Sequence, residues 1–262
     1  MGEFRQRLLS IKISAMKVFT LAVVSLAATL ISQLAIPFSA HAQGDFRSFR
    51  GVNRIIFAAR KMALNENSAR EVLTIQQGIK YEILSQGAGC FVSGNLMLTA
   101  NHVVSQANAS YFIGWSGDKF PEVTVQSRDE KLDLALVRFN APDGNYSFFN
   151  VPFADSRPIV EGTNVFIWAY LEVAGGFMQF LRSGTISNNS DQELGSNHLV
   201  YVETTAIDGT SGSPVILRDG RPLGIVSAKL TVGGARLPSG ILAIVPGEQV
   251  NQFLKESGVS GY

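Results

Sequence analysis

Cysteine is the residue type that this sequence has least of, because Cys90 is the only one among 262 residues. The chain therefore cannot form an internal disulfide, a bridge on which many small secreted domains depend. We expect Cys90 to be a small buried hydrophobic side chain. A catalytic thiol is the alternative interpretation, and the strand-like residues around Cys90 argue against it.

An excess of charge of either sign is also missing. The chain has 22 Lys and Arg against 21 Asp and Glu, and only 16% of its residues are charged while 46% are hydrophobic. This composition is typical of a globular chain with a substantial core, and it provides no basic field for binding nucleic acid.

Histidine is scarce as well. Of the three histidines, His102 and His198 follow the leader-like segment described below, and neither has a partner at metal-ligand spacing. We therefore predict no metal, no cofactor and no nucleic-acid partner, and we expect His198 to lie on the surface at a strand end.

The first 42 residues differ from the rest of the chain. Basic residues precede an apolar run at about 18–38, and Ser39-Ala40-His41-Ala42 follows this run. This pattern predicts a secretory signal at 1–42 that is removed before Gln43. The product would then be exported to a periplasm or secreted, with no membrane contact after cleavage. An uncleaved membrane anchor is the alternative, because about 20 apolar residues can span a bilayer.

The segment 43–72 predicts an N-terminal helix. Its apolar residues recur at helical spacing before the polar stretch at 65–68 interrupts them. We expect this extension to cover the outside of the domain, and a propeptide is the alternative. The recurring apolar residues are Val52, Ile55, Ile56, Ala59 and Met62.

From residue 73 onward the sequence indicates short strands, because apolar or alternating runs are separated by Gly, Asn, Asp, Ser and Pro. Many short strands with turn signals between them predict an all-β sandwich or barrel. Only the last apolar segment, at 248–256, shows helical spacing again. The predicted strands are 80–84, 89–93, 96–99, 110–115, 122–127, 134–139, 164–171, 177–186, 199–205, 214–217, 222–228 and 241–245.

Three short segments each supply one component of amide hydrolysis by a hydroxyl group. His102 follows an apolar strand and is a candidate general base near neutral pH. Asp133 directly precedes an apolar run, where a carboxylate needs a hydrogen-bond donor such as an imidazole. Ser211 lies between Gly209 and Gly212, which permit a tight turn whose amides can bind a developing oxyanion. Ser213 is the alternative nucleophile.

These segments resemble the catalytic signatures of trypsin-like serine peptidases. The matching residues are Thr99-Ala100-Asn101-His102, Asp133-Leu134-Ala135-Leu136 and Gly209-Thr210-Ser211-Gly212-Ser213-Pro214. Within that family the sequence is most similar to the bacterial branch of HtrA-type proteases and glutamyl endopeptidases.

The resemblance implies an all-β, chymotrypsin-like fold of two six-stranded antiparallel β-barrels. It places the peptidase domain at 73–262, with barrels at about 73–145 and 158–246. A C-terminal helix is expected at about 247–256.

The resemblance also implies the roles of the site residues. Ser211 would be the nucleophile, His102 the general base and Asp133 the carboxylate that orients the imidazole. The amides of Gly209 and Ser211 would form the oxyanion hole, and Ser227 would hydrogen-bond to Asp133. The expected substrates are polypeptides.

The resemblance further implies a substrate pocket, whose base contains no carboxylate, so a preference for Lys or Arg is disfavoured. Val226 stands where glutamyl endopeptidases place a histidine, which also argues against their way of selecting glutamate. We predict that the pocket accepts a substrate residue with a small or aliphatic side chain. An acidic substrate residue is the alternative, because Lys229 lies near the expected mouth of the pocket. The expected pocket residues are Thr205, Ala206, Ser227, Ala228 and Lys229.

Thr210 occupies the position at which trypsin-like zymogens carry a carboxylate that binds a newly cut N-terminus. Activation by that ion pair is therefore not expected, and the chain should fold directly into a competent form. Because no PDZ-like module follows Leu254, we expect a monomer rather than an HtrA-type trimer. A catalytically silent peptide-binding member of the same fold is the alternative function.

Overall fold

The structure is a computed structural model that describes residues 52–63, 66–68, 70, 72–75, 78–114, 119–140, 147–173, 176–189, 198–204, 209–227 and 240–262. The predicted signal at 1–42 and four predicted pocket residues, Thr205, Ala206, Ala228 and Lys229, lie outside these ranges. Within these ranges, no helix is long and apolar enough to cross a membrane.

The first barrel lies within a sheet of seven strands. The sheet order is β1-β5-β6-β7-β4-β3-β2, and β1 also pairs with β3, so six strands close the barrel and β2 extends it beyond β3. Every pairing is antiparallel. The strands are β1 (Asn53–Lys61), β2 (Val72–Ile75), β3 (Ile79–Ser93), β4 (Leu96–Ala100), β5 (Ser110–Ile113), β6 (Glu122–Asp129) and β7 (Leu134–Phe139).

Six strands form the second barrel, which closes in the order β10-β13-β12-β11-β8-β9. The pairings here are also antiparallel. The predicted fold class, two closed six-stranded barrels of the chymotrypsin-like type, is therefore confirmed. The strands are β8 (Asn164–Val173), β9 (Gly176–Asn188), β10 (Val200–Glu203), β11 (Pro214–Leu217), β12 (Pro222–Ser227) and β13 (Ile241–Pro246).

A single α-helix among the described residues, α1 (Gly247–Glu256), begins where β13 ends, and this confirms the predicted C-terminal helix. It buries Val250, Phe253 and Leu254 in one apolar cluster with Leu98 of the first barrel and Ile225 of the second. Apolar area removed from water stabilises a fold by about 25 cal/mol per Å². The helix therefore helps to hold the two barrels together.

The predicted N-terminal helix is wrong, because Asn53–Lys61 forms strand β1. Ile56 and Ala58 point into the first barrel, while Ile55 and Phe57 pack in a second cluster on the opposite face of the strand. A strand that is buried on both faces has a continuous apolar run without alternation, which periodicity alone does not distinguish from a helix.

The first barrel therefore begins at residue 53 rather than at 73, and β1 closes it by pairing with both β3 and β5. The predicted strands 80–84 and 89–93 are also one strand, Ile79–Ser93. This long strand pairs with β2 near its start and with β4 near its end.

Candidate active site

His102 lies in a short 3₁₀ helix, Asn101–Val104, that directly follows β4. Strand β4 is buried along its whole length and pairs with β7, with Ala100 opposite Leu134. The Asn101 amide donates to the carbonyl oxygen of Asp133 at 2.9 Å. The end of β4 and the start of β7 are thus tied together, which brings His102 next to Asp133.

The Asp133 side chain is buried and accepts three hydrogen bonds. Its Oδ1 accepts from the backbone N–H of His102 at 2.9 Å, and its Oδ2 accepts from His102 Nδ1 at 2.7 Å. Oδ2 also accepts from the hydroxyl of Ser227, at the end of β12 in the second barrel. These donors offset the cost of removing a carboxylate from water.

The orientation of the imidazole follows from this arrangement. A neutral histidine has one donor nitrogen and one acceptor nitrogen. Because Nδ1 of His102 faces a carboxylate oxygen, its proton is held there and Nε2 is left as the acceptor. Asp133 has a left-handed backbone, with φ of 56°, a conformation that aspartate adopts more readily than most residues. The carboxylate therefore fixes both the tautomer and the direction of the ring.

Ser211 lies on a turn that only glycine can form at two of its positions. Gly209 and Gly212 have φ values of +86° and +82°. A Cβ on residue 212 would lie 2.0 Å from the carbonyl oxygen of Ala88, and one on residue 209 would lie 2.7 Å from that of Tyr170. The turn thus packs against both barrels through backbone, which leaves no room for a side chain.

A hydrogen-bonded connection links the Ser211 turn to the strand that carries His102. The Ala88 amide of β3 donates to the carbonyl oxygen of Ser211 at 2.7 Å. The Thr99 hydroxyl of β4 donates to the carbonyl oxygen of Ala88 at 2.6 Å. The backbone of Ala88 therefore binds both sides of the site: its amide binds Ser211, and its carbonyl binds Thr99.

Gly87 shows how close these two sides are. A Cβ on this residue would lie 2.5 Å from a methyl group of Val103, the residue after His102, and 3.0 Å from the carbonyl oxygen of Ser211. Gly87 thus lies between the 3₁₀ helix of the first barrel and the Ser211 turn of the second, where only a residue without a side chain fits. A side chain here would push the two apart.

The two serines of the turn differ in accessibility. Ser213 is fully buried, whereas Ser211 is partly exposed. Ser213 also belongs to a backbone network, because its carbonyl accepts from the Val226 amide at 2.9 Å and its amide donates to Thr210. Ser211 is therefore the serine that a substrate could reach.

The amides of Gly209 and Ser211 lie on either side of Thr210. Neither donates a hydrogen bond to any group in the part of the chain that the structure describes. Gly209 and Ser211 are both partly exposed, so these amides can face solvent or a ligand. An oxyanion hole requires amide donors that are open in this way.

Of the predicted site residues, the structure brings His102, Asp133 and Ser227 into one hydrogen-bonded group. It places Gly209 and Ser211 together on the adjoining turn. Sequence reasoning did not assign roles to Thr99 and Ala88. Thr99 stands inside the segment that carries the histidine signature, whereas Ala88 acts only through its backbone and has no side-chain signal.

Two other expectations can be compared with the structure. Cys90 is fully buried, as predicted, and burial raises the pKa of its thiol well above the usual range. The surface position predicted for His198 is wrong, because only 14% of its side chain is exposed. Its Nε2 lies 3.2 Å from the hydroxyl of Ser156, which in turn donates to Glu248 of α1 at 3.0 Å.

The fold and the site define a chymotrypsin-like protein, with His102 and Asp133 on the first barrel and Ser211 on the second. Comparison with known families agrees: the model of the trypsin-like peptidase domain matches residues 87–225, more than half of the chain. The chain belongs to this family.

Curated relatives carry the same family resemblance. The chain is 28% identical to serine protease HTRA1A of Danio rerio over 181 residues, which cover 66% of this chain and 35% of that protein. It is 29% identical to serine protease HTRA4 of Mus musculus, over 66% of this chain and 34% of that protein. It is 27% identical to serine protease HTRA3 of Homo sapiens, over 66% of this chain and 38% of that protein. The chain thus spans little more than a third of the length of the curated relatives it matches.

Proposed function

We propose that this chain is a serine endopeptidase in which Ser211 is the nucleophile, His102 the general base and Asp133 the orienting carboxylate. The 2.7 Å hydrogen bond between His102 Nδ1 and Asp133 Oδ2 carries the proposal. It holds an imidazole in the tautomer that can accept a proton at Nε2, beside a glycine-flanked serine turn.

In the first half of the reaction, Ser211 Oγ attacks the carbonyl carbon of the scissile peptide bond. Its proton passes to Nε2 of His102, and the imidazolium is stabilised by the carboxylate of Asp133. The carbon–nitrogen bond then breaks, and the proton on Nε2 passes to the leaving amine. The product of this half is an acyl-enzyme ester on Ser211.

In the second half, a water molecule attacks the ester carbon while Nε2 takes its proton. The bond to Ser211 Oγ breaks, the serine recovers its proton from His102, and a carboxylic acid leaves. In both halves negative charge develops on the former carbonyl oxygen. The amides of Gly209 and Ser211 would donate to it, and each such donor stabilises a transition state by about 2.7–4 kcal/mol.

The remaining parts of the proposal concern substrate and location. The names of the relatives and the family support polypeptides as the substrate class. A small or aliphatic residue is proposed before the scissile bond, with no cofactor needed for the reaction. We further propose that 1–42 is an export signal, that the mature chain is periplasmic or secreted, and that it acts as a monomer.

A fluorophosphonate probe and casein together test the proposal. The parent chain should label and cleave, and Ser211→Ala should do neither. Ser187→Ala, which changes an exposed serine on β9, is the matched control and should behave like the parent. If the parent neither labels nor cleaves, the peptidase proposal fails and a silent peptide-binding domain replaces it. Equal labelling of the parent and Ser211→Ala would remove Ser211 from its role.

A further inference from the structure

Asn53, the first residue of β1, is a fully buried polar side chain that reaches across to the second barrel. Its Nδ2 donates to the carbonyl oxygen of Trp168 on β8 at 2.6 Å. In return, the Tyr170 hydroxyl donates to the carbonyl oxygen of Asn53 at 2.9 Å. We call these two hydrogen bonds the β1–β8 clasp. They join one residue of β1 to two residues of β8, through the backbone carbonyl of Trp168 and the side chain of Tyr170.

Strand β8 supports the turn that carries the nucleophile. The carbonyl oxygen of Tyr170 lies where a Cβ on Gly209 would be 2.7 Å away, so the Tyr170 peptide packs directly against the Gly209 backbone. Interiors at this density transmit small displacements rather than absorbing them. A shift of β8 along its length would therefore move the Gly209 amide.

The β1–β8 clasp is not needed simply to hold the two barrels together. The shared apolar cluster already joins them, and the Phe57 ring of β1 packs edge-on against Phe177 of β9 with centroids 4.9 Å apart. In addition, Oδ1 of Asn53 is buried and has no hydrogen-bond partner among the described residues. A buried acceptor without a donor destabilises the fold. Adhesion between the barrels therefore does not by itself explain a buried asparagine at this position.

Hydrogen bonds differ from apolar contacts in fixing direction and register. We propose that Asn53 and Tyr170 are positioning residues for the oxyanion hole: the clasp sets β8 so that the Tyr170 carbonyl holds Gly209 in its left-handed conformation. The amides of Gly209 and Ser211 then face the place where the oxyanion forms. The inference rests on the proposed peptidase function. Asn53 lies outside residues 87–225, the segment that the family model matches.

The test compares Tyr170→Phe, which removes only the hydroxyl, with Asn53→Leu, which removes the amide at similar volume. Tyr262→Phe is the matched control, because its hydroxyl also donates to a backbone carbonyl, that of Phe149 at 2.7 Å, away from the turn. For each full-length variant, kcat and KM on a peptide substrate, the rate of fluorophosphonate labelling and the thermal unfolding midpoint are measured.

A displacement of about 1 Å in a catalytic group can cost up to ~10²-fold in rate. We expect Tyr170→Phe to lower both kcat and the labelling rate by roughly 5- to 50-fold at nearly unchanged KM. Tyr262→Phe should keep both within about twofold of the parent. Asn53→Leu should have a similar effect to Tyr170→Phe, and the double variant should lose little more than either one, because both changes break the same clasp.

The proposal is overturned if Tyr170→Phe lowers the unfolding midpoint but leaves kcat per folded molecule unchanged, since the clasp would then be structural only. An equal loss of kcat in Tyr262→Phe would overturn it as well. If Asn53→Leu does not fold, Tyr170→Phe decides alone. A parent chain that fails to label overturns the peptidase function itself, whereas a labelling parent with unaffected variants removes only the clasp's role.

Discussion

Replacing Thr99 by valine removes one hydroxyl from the connection between the two halves of the site. Thr99 is fully buried, and its hydroxyl donates to the carbonyl oxygen of Ala88 at 2.6 Å. Valine has nearly the same shape, so the carbonyl loses this donor without a cavity being made. The Ala88 amide, which holds the carbonyl of Ser211 at 2.7 Å, belongs to the same residue. The change should therefore weaken both the fold and the placement of Ser211, the proposed nucleophile.

The loss of stability in Thr99→Val can be estimated from the carbonyl oxygen of Ala88, which loses its donor. A buried hydrogen-bonding group left without a partner costs about 1–3 kcal/mol. For a domain of this size each kcal/mol lowers the thermal midpoint by about 2–4 °C, so a fall of roughly 2–12 °C is expected. Because Ser211 loses part of its support, we also expect the labelling rate per folded molecule to fall roughly tenfold.

The assay is calorimetric unfolding together with fluorophosphonate labelling of the folded fraction. Thr99→Ser retains the hydroxyl and should recover most of the labelling rate. Thr124→Val makes the same substitution at an exposed position of β6 and should match the parent. The reasoning is refuted if Thr99→Val labels as fast as the parent, or if Thr99→Ser is as slow as Thr99→Val.

Three further predictions concern other parts of the chain. Gly212→Ala should destabilise the fold by more than about 3 kcal/mol in urea unfolding, because the new Cβ would lie 2.0 Å from the carbonyl oxygen of Ala88. Gly162→Ala is the control: its φ is also positive, at +85°, but the space around it is open, so it should lower the free energy of unfolding by only about 1 kcal/mol. Ser227→Ala removes one donor from the Asp133 carboxylate. If Asp133 orients His102 as proposed, kcat should fall about tenfold in steady-state assays, and an unchanged kcat would contradict the proposed support of Asp133 by Ser227. Arg60 lowers the pKa of Glu66, and Ser68 and Arg60 together lower that of Glu82, so the two ion pairs of Arg60 should stabilise the fold at neutral pH and lose their contribution as pH falls below about 4.5. In acid titration of the unfolding midpoint, Arg60→Gln should flatten that part of the curve.

Most strands could be predicted from the sequence because one face of each packs inside a barrel while turn residues separate it from the next strand. The run 122–127 is an example, since more exposed and less exposed residues alternate along strand β6. Strand β1 could not be predicted in this way, because both of its faces are buried and the alternation disappears. The sequence predicts two strands in place of the long β3 because Ser85, Gln86 and Gly87 interrupt the apolar pattern, although Gly87 is required for close packing.

The site divides along similar lines. His102, Asp133 and Ser211 could be proposed from the sequence because they stand in recognisable segments, and the structure brings His102 and Asp133 into contact. Thr99, Asn53 and Ala88 could not, because they act on or through backbone carbonyls and amides whose partners are distant in sequence. Asn53 contacts Trp168, which is 115 positions away. Only a folded chain shows such pairs.

The position of β1 has a consequence for how the chain is made. This strand is synthesised before all of its partners: β3 and β5 follow it, and the β8 residues that bind Asn53 come more than a hundred positions later. Until then its apolar residues, Ile55, Ile56 and Phe57, have no cover. Uncovered strands of this kind promote aggregation during synthesis and transport. If the chain crosses a membrane before it folds, as proposed, β1 would have to stay unpaired until its partner strands have crossed as well.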